Sequence, residues 1–127
     1  MLIKSNIFNT FVNISEDLKR KTSTLENLVK ELDIEIWPFL YGPRNCSILS
    51  VDLETIDYRT NLMRFHFRFV DKHDSQYKSM SHFLVNKSLF DNVEKLNSDN
   101  LKFIYNEEIG WNELVEKNVG EFVLDQI

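Results

Sequence analysis

The sequence has few of the residues that build disulfides, tight turns and linkers: its 127 residues include one cysteine, three glycines and two prolines. The single Cys46 excludes an internal disulfide and disfavours a cysteine-based metal site. So few glycines leave little scope for a phosphate-binding loop, and the sequence contains neither a nucleophile elbow nor a dinucleotide fingerprint. We therefore expect one compact domain over residues 1–127, with no catalytic residues, no metal site and no cofactor.

Long apolar runs and targeting signals are also missing. No apolar run approaches the roughly 20 residues that a membrane-spanning helix needs. The first six residues, MLIKSN, do not resemble a secretory signal, because no basic region leads into a long apolar segment. We expect a cytoplasmic protein that does not bind membranes, and a lone cysteine fits a reducing compartment.

The excess negative charge lies in the C-terminal third of the chain. The whole sequence has a net charge of −5. Residues 1–89 carry 12 basic and 11 acidic residues, whereas residues 90–127 carry 3 basic and 9 acidic residues, a net of −6. Direct nucleic-acid binding needs a basic surface and is not expected. A basic protein partner is favoured instead.

Strict alternation predicts a half-buried strand over residues 62–70. One face of this strand is apolar and the other is basic, so the apolar face should form the core. The apolar face consists of Met63, Phe65, Phe67 and Phe69, and the basic face consists of Arg64, His66 and Arg68.

A second alternating segment, residues 47–57, precedes this strand, and residues 58–60 supply a reversal. The two strands should form an antiparallel hairpin, because a one-residue slip would turn every phenylalanine outward. The expected cross-strand pairs are Leu53 with Phe65, Val51 with Phe67, Glu54 with Arg64, and Asp52 with His66.

The remaining patterns predict further helices and strands. Helical spacing covers residues 5–21, and a capping box of Ser23 and Glu26 favours a second helix over residues 24–33, although one bent helix over 5–33 is also possible. Residues 77–86 and 101–105 suggest a third and a fourth strand, separated by a helix over 89–96 that Ser88 caps. Apolar residues at i, i+3, i+4 and i+7 spacing predict a C-terminal amphipathic helix from Trp111 to Ile127.

These elements together predict an α+β fold. We expect an antiparallel sheet of about four strands, with N-terminal helices and the C-terminal amphipathic helix packed on it.

Two segments are candidate partner-binding surfaces. The acidic side of the C-terminal helix and its approach could receive a basic partner, although a solvated helix face is the simpler interpretation. An aromatic connector before the first predicted strand could supply binding anchors, although a plug that closes the edge of the core is the simpler interpretation. The candidates are Glu107, Glu108, Glu113, Glu116, Glu121 and Asp125 in the acidic segment, and Trp37, Tyr41 and Arg44 in the connector.

The basic face of the central strand could act on a phosphodiester. Together with Arg64 and Arg68, His66 could bind the phosphate or polarise the scissile bond. His73 or His82 could serve as an acid or base partner. The expected neighbours Asp52 and Glu54 explain the same charges as ordinary cross-strand ion pairs. We therefore keep a small nuclease only as a distant alternative.

Three features of the chain define its overall character: the strand block Ser47–Asn86, the acidic third Asp91–Asp125 and the closing helix from Trp111. In size and pattern the chain resembles the small immunity proteins of bacterial polymorphic-toxin systems, including contact-dependent growth inhibition. The resemblance implies a tight one-to-one complex with a cognate toxin domain, often a basic nuclease, whose active site is covered. The protein itself would be a monomer or a weak dimer.

Two other binding functions remain open. A type III secretion chaperone is also small, acidic and α/β, and would dimerise around an extended effector segment. A phage-encoded inhibitor would imitate nucleic acid with spaced carboxylates. Stoichiometry and competition with nucleic acid would separate these functions from an immunity protein.

Overall fold

The structure is a computed structural model that describes residues 15–36, 44–76, 78–106 and 121–127. Its helices are α1 (Glu16–Lys30) and α2 (Lys87–Asp91), with single 3₁₀ turns at Val93–Lys95 and Ser98–Asn100. Its strands are β1 (Ile34–Ile36), β2 (Arg44–Asp57), β3 (Leu62–Asp71), β4 (Lys78–Asn86), β5 (Leu101–Asn106) and β6 (Glu121–Gln126).

The strands form one six-stranded sheet in the order β1-β2-β3-β4-β6-β5. Neighbours run antiparallel except for β4 and β6, which run parallel. The edge strands β1 and β5 approach each other, so the sheet curls into a nearly closed barrel. The prediction of an antiparallel sheet of about four strands with helices packed on it was therefore wrong.

The C-terminal segment accounts for much of this correction. The predicted amphipathic helix over 111–127 was wrong at its end, because Glu121–Gln126 is strand β6. Phe122 and Leu124 alternate into the barrel and are buried. This period-2 pattern covers only six residues, and it was hidden by helical spacing that began at Trp111. Residues 111–120 lie outside the described residues.

Helix α1 begins earlier than its internal capping box suggests. The Ser15 side chain caps it by accepting a hydrogen bond from the Leu18 backbone N–H at 3.1 Å. The helix then continues through residues 22–24, so the predicted second helix capped by Ser23 was wrong, and the alternative of one helix across this segment holds over Glu16–Lys30. Thr24 is accommodated because its hydroxyl donates to the carbonyl of Arg20 at 3.0 Å. The predicted helical residues 5–14 lie outside the described residues.

The predicted hairpin of β2 and β3 is confirmed over its central part. Leu53 lies opposite Phe65, Val51 opposite Phe67, and Asp52 opposite His66. The predicted pairing of Glu54 with Arg64 was wrong, because a bulge after Leu53 brings Thr55 opposite Arg64. A second bulge lies between Ile48 and Ser50. Alternation alone does not reveal an inserted residue.

The segment between β4 and β5 is helical, with other bounds than predicted. Asn86, not Ser88, caps α2, since its side chain accepts the Ser88 backbone N–H at 2.9 Å. The expected helix over 89–96 is a short α2 followed by the 3₁₀ turn Val93–Lys95.

A phenylalanine cluster fills the barrel. The rings of Phe65 and Phe83 stack with centroids 5.3 Å apart, and Phe83 meets Phe103 edge to face at 5.1 Å. Leu25 and Val29 of α1 are buried in the same core. Because Phe65, Phe67 and Phe83 point inward, the alternate residues Arg64, His66 and His82 lie together on the outer wall.

Candidate functional site on the outer wall of the barrel

A group of charged and titratable side chains, here called the wall cluster, spans four adjacent strands. The register places Asp52, His66 and His82 side by side across β2, β3 and β4. Phe83 of β4 pairs with Phe122 of β6, so the preceding residues of these parallel strands are also neighbours. The wall cluster consists of Asp52, Glu54, Arg64, His66, His82 and Glu121.

Arg64 connects β2, β3 and β6 through two carboxylates. Its Nη2 lies 2.8 Å from Glu121 Oε1, and its Nε lies 3.4 Å from Glu54 Oε1. The Arg64 side chain is 14% exposed and that of Glu121 is 5% exposed, so solvent screens this contact weakly. The guanidinium is committed to neutralising carboxylates that the fold has removed from water.

Glu54 is shared by two neighbours, His82 and Arg64. Its Oε2 lies 3.1 Å from His82 Nε2, while its Oε1 faces Arg64. Burial raises the pKa of Glu54, but the His82 hydrogen bond and the charges of His82, Arg64 and His66 outweigh burial and leave the pKa below its ordinary value. Glu54 is therefore an ionised acceptor at neutral pH.

Glu121 has the opposite pKa shift. Burial raises its pKa, Glu54 adds to the effect, and the opposing charges of Arg64 and His82 do not cancel it. One atom of this carboxylate, Oε1, lies next to Arg64 but has no well-aligned hydrogen bond among the described residues. The fold therefore favours the protonated form of Glu121 more than water does.

The two imidazoles of the wall cluster lie close together. The ring centroids of His66 and His82 are 5.7 Å apart. His66 Nδ1 faces Asp52 Oδ2 at 3.9 Å, and His66 Nε2 is buried with no hydrogen-bond partner among the described residues. Because Nε2 is buried, a surface ligand could reach His66 only through its other nitrogen.

The sequence-predicted phosphodiester site is only partly assembled. Arg64, His66 and Arg68 share the outer face, as predicted from alternation. Arg64 is paired with carboxylates, whereas Arg68 is exposed. The structure places His82, a predicted acid or base partner, beside His66. It also adds Glu121, which the sequence did not place in this site, because the helical prediction for the C terminus hid its contact with Arg64.

Three of the nine predicted partner-binding residues are described. Glu121 is buried in the barrel wall, so it does not contribute to an exposed acidic face. Asp125 is exposed and lies opposite Lys102 in the register. Arg44 is the third described residue. The other six predicted residues lie outside the described part of the chain: Trp37, Tyr41, Glu107, Glu108, Glu113 and Glu116.

Arg44 forms a partly buried ion pair at the end of the barrel. Its Nη1 lies 2.6 Å from Asp71 Oδ2, and the backbone N–H of His73 donates to Asp71 Oδ1 at 2.7 Å. The His73 amide and the Arg44 guanidinium lower the pKa of Asp71 despite its burial. Asp71 could have been found from the sequence, because it continues the inward positions of β3. This geometry gives Arg44 a structural role.

Cys46 lies beside Asp71 in the register and is fully buried. Burial raises the pKa of its thiol to about 11, and the Asp71 charge acts in the same direction. A thiol with this pKa is almost entirely protonated at neutral pH and is a poor nucleophile.

The described residues contain neither a candidate metal site nor a candidate membrane-spanning helix. Among them, no group of three or more His, Cys, Asp or Glu side chains is arranged to hold a metal ion. No helix within the described ranges has the length and apolar character needed to cross a bilayer.

Comparisons with protein-family models, curated proteins and solved structures found no significant match.

Proposed function

We propose that this chain is a non-enzymatic binding protein of the immunity type, which neutralises a cognate bacterial toxin domain in the cytoplasm. The toxin domain is basic and of the nuclease type. The immunity protein covers its active site in a one-to-one complex. The main support for this proposal is the separation of charge along the sequence: the net charge is −6 in residues 90–127 and +1 in residues 1–89.

The state of the wall cluster supports binding over catalysis. A phosphodiester-cleaving site needs a cation that is available to the phosphate and a base that is exposed to the substrate. Arg64 instead contacts Glu54 and Glu121, and His66 Nε2 is buried. Replacing His66 with alanine should therefore remove no nuclease activity from the purified protein.

The first partner to test is the product of the gene immediately upstream. We would co-express the two proteins, purify the complex and determine its stoichiometry by light scattering. A one-to-one complex that abolishes the toxicity or nuclease activity of the neighbour is the expected result. Separate elution at micromolar concentration, with the neighbour still active, would contradict the proposal. A homodimer that holds an extended segment of the neighbour would indicate a secretion chaperone instead.

A further inference from the structure

A second surface lies on the outer wall beside the wall cluster, and we call it the basic-apolar patch. It consists of Leu49 on β2, Arg68 on β3, and Lys78 and Met80 on β4. Arg68 lies opposite both Ser50 and Met80, so the patch crosses three adjacent strands.

A β-bulge turns Leu49 toward solvent. Ile48 and Val51 both point into the barrel and are buried, although an uninterrupted alternation would give them opposite faces. The register shift between Ile48 and Ser50 resolves this conflict and leaves Leu49 39% exposed. Bulges re-aim side chains in this way. The strand thereby presents an aliphatic group beside Arg68 that core packing does not require.

Met80 adds a second apolar group to the patch. It is 60% exposed and stands directly opposite Arg68. An exposed methionine on a strand is a flexible and polarizable contact group, of the kind used at adaptable binding surfaces. Leu49 and Met80 therefore flank a guanidinium on two sides.

The cations of the patch are not neutralised within the described part of the chain. Arg68 and Lys78 are exposed and form no ion pair there, whereas Arg44, Arg59 and Arg64 each contact a carboxylate. Asp52 lies two residues beyond Ser50, the cross-strand neighbour of Arg68, and it faces His66 instead of Arg68. The patch therefore combines two exposed cations with two exposed apolar groups.

We propose that the basic-apolar patch binds an acidic, partly aliphatic segment of a partner protein. Carboxylates of that segment meet Arg68 and Lys78, and an aliphatic side chain packs between Leu49 and Met80. This inference goes beyond the proposed function, because it concerns another surface and a partner segment of opposite charge. It does not depend on the toxin.

The test uses the purified protein and a short synthetic peptide of glutamate, leucine and serine as the probe. When the peptide is titrated into the ¹⁵N-labelled protein, the amide signals of residues 48–50, 67–69 and 78–81 should move progressively, as expected for binding in fast exchange. Arg68→Glu should weaken this binding about tenfold or more, since it replaces attraction with repulsion. A peptide of lysine, leucine and serine should leave these signals unchanged.

Arg59→Glu is the matched control, because it makes the same charge change at another exposed arginine, on the hairpin tip. Its binding should equal that of the wild type. Equal losses in the two variants would show only a response to net charge and would overturn the inference. Shifts outside the three named segments, or no shifts, would also overturn it. The ¹⁵N spectrum of each variant reports at the same time that it is folded.

Discussion

Glu121 and Glu54 contact the same guanidinium, yet their pKa values move in opposite directions. Burial dominates at Glu121, which has Arg64 as its close cation. At Glu54 the His82 hydrogen bond and several positive charges prevail. Two carboxylates in one cluster therefore make opposite contributions to the free energy of unfolding.

We predict that Glu121→Gln stabilises the protein at neutral pH. Because the folded-state pKa of Glu121 is raised, the ionised carboxylate lowers stability at neutral pH, and stability should rise as the pH falls toward the ordinary value of 4.5. Glutamine removes this dependence. Each tenfold change in the acid dissociation constant corresponds to about 1.4 kcal/mol. Urea denaturation at several pH values between neutral and this ordinary pKa measures the effect.

Glu54→Gln is the control for this prediction, and its sign is opposite. The folded-state pKa of Glu54 is lowered, so its contribution to stability is present above the ordinary pKa and is lost only as the pH falls through the folded-state value. The variant should be less stable than the wild type at neutral pH. If both variants lose stability at neutral pH, burial does not dominate at Glu121.

Phe67 packs against four other phenylalanines, so truncating it should lower the free energy of unfolding. The centroid of its ring lies 5.5 Å from those of Phe69 and Phe83, 5.8 Å from that of Phe103 and 5.9 Å from that of Phe122. The side chain is fully buried. We predict that Phe67→Ala lowers the free energy of unfolding by about 3–5 kcal/mol. Urea denaturation would measure this, and a loss below about 1 kcal/mol would show that the ring does not lie in a packed core.

At the scale of elements, the sequence predicted what depends on local alternation. The apolar face of β3 and the central register of its hairpin follow from period-2 spacing, and both are present in the fold. The bulges of β2, the parallel pairing of β4 with β6 and the three-residue strand β1 depend on distant contacts. Those contacts leave no periodic signal of their own.

The candidate site follows the same division. Alternation placed Arg64, His66 and Arg68 on one face. It could not predict that Arg64 would pair with Glu121, because that contact requires β6 to lie beside β4. The sequence therefore showed which charged residues share a face, whereas predicting their ion-pair partners needs the order of the strands in the sheet.

The start of α1 gives a prediction at this scale. Ser15→Ala removes the side chain that caps the Leu18 N–H and should lower the free energy of unfolding by about 1 kcal/mol. Ser23→Ala lies inside the helix and should be neutral or slightly stabilising, since alanine is the better helix former. The reverse ranking in urea denaturation would mean that the helix begins at the internal capping box.

At the scale of the whole molecule, charges of opposite sign belong to two parts of the chain. The acidic residues concentrate in residues 90–127 of the sequence, while the basic-apolar patch lies on β2, β3 and β4. A partner that contacts both the acidic segment and the patch would be held in one orientation, because rotating it would bring like charges together. Electrostatic complementarity of this kind determines specificity and association rate more than affinity.

The role of the acidic segment is tested by reversing charge at Glu113 and Glu116. With the neighbouring gene product as partner, the double lysine variant should associate at least about tenfold more slowly at low ionic strength, because steering by opposite charge is lost. Its association rate should also depend less on salt. Stopped-flow fluorescence over a range of ionic strengths measures both effects.

The matched control reverses two acidic residues outside the C-terminal third, Glu16 and Glu35, which are both exposed. This control changes the net charge by the same amount but leaves residues 90–127 intact. If steering arises from the local field of the C-terminal third, only the Glu113 and Glu116 variant slows. If the two variants slow equally, net charge alone sets the association rate, and the acidic segment has no special place in recognition.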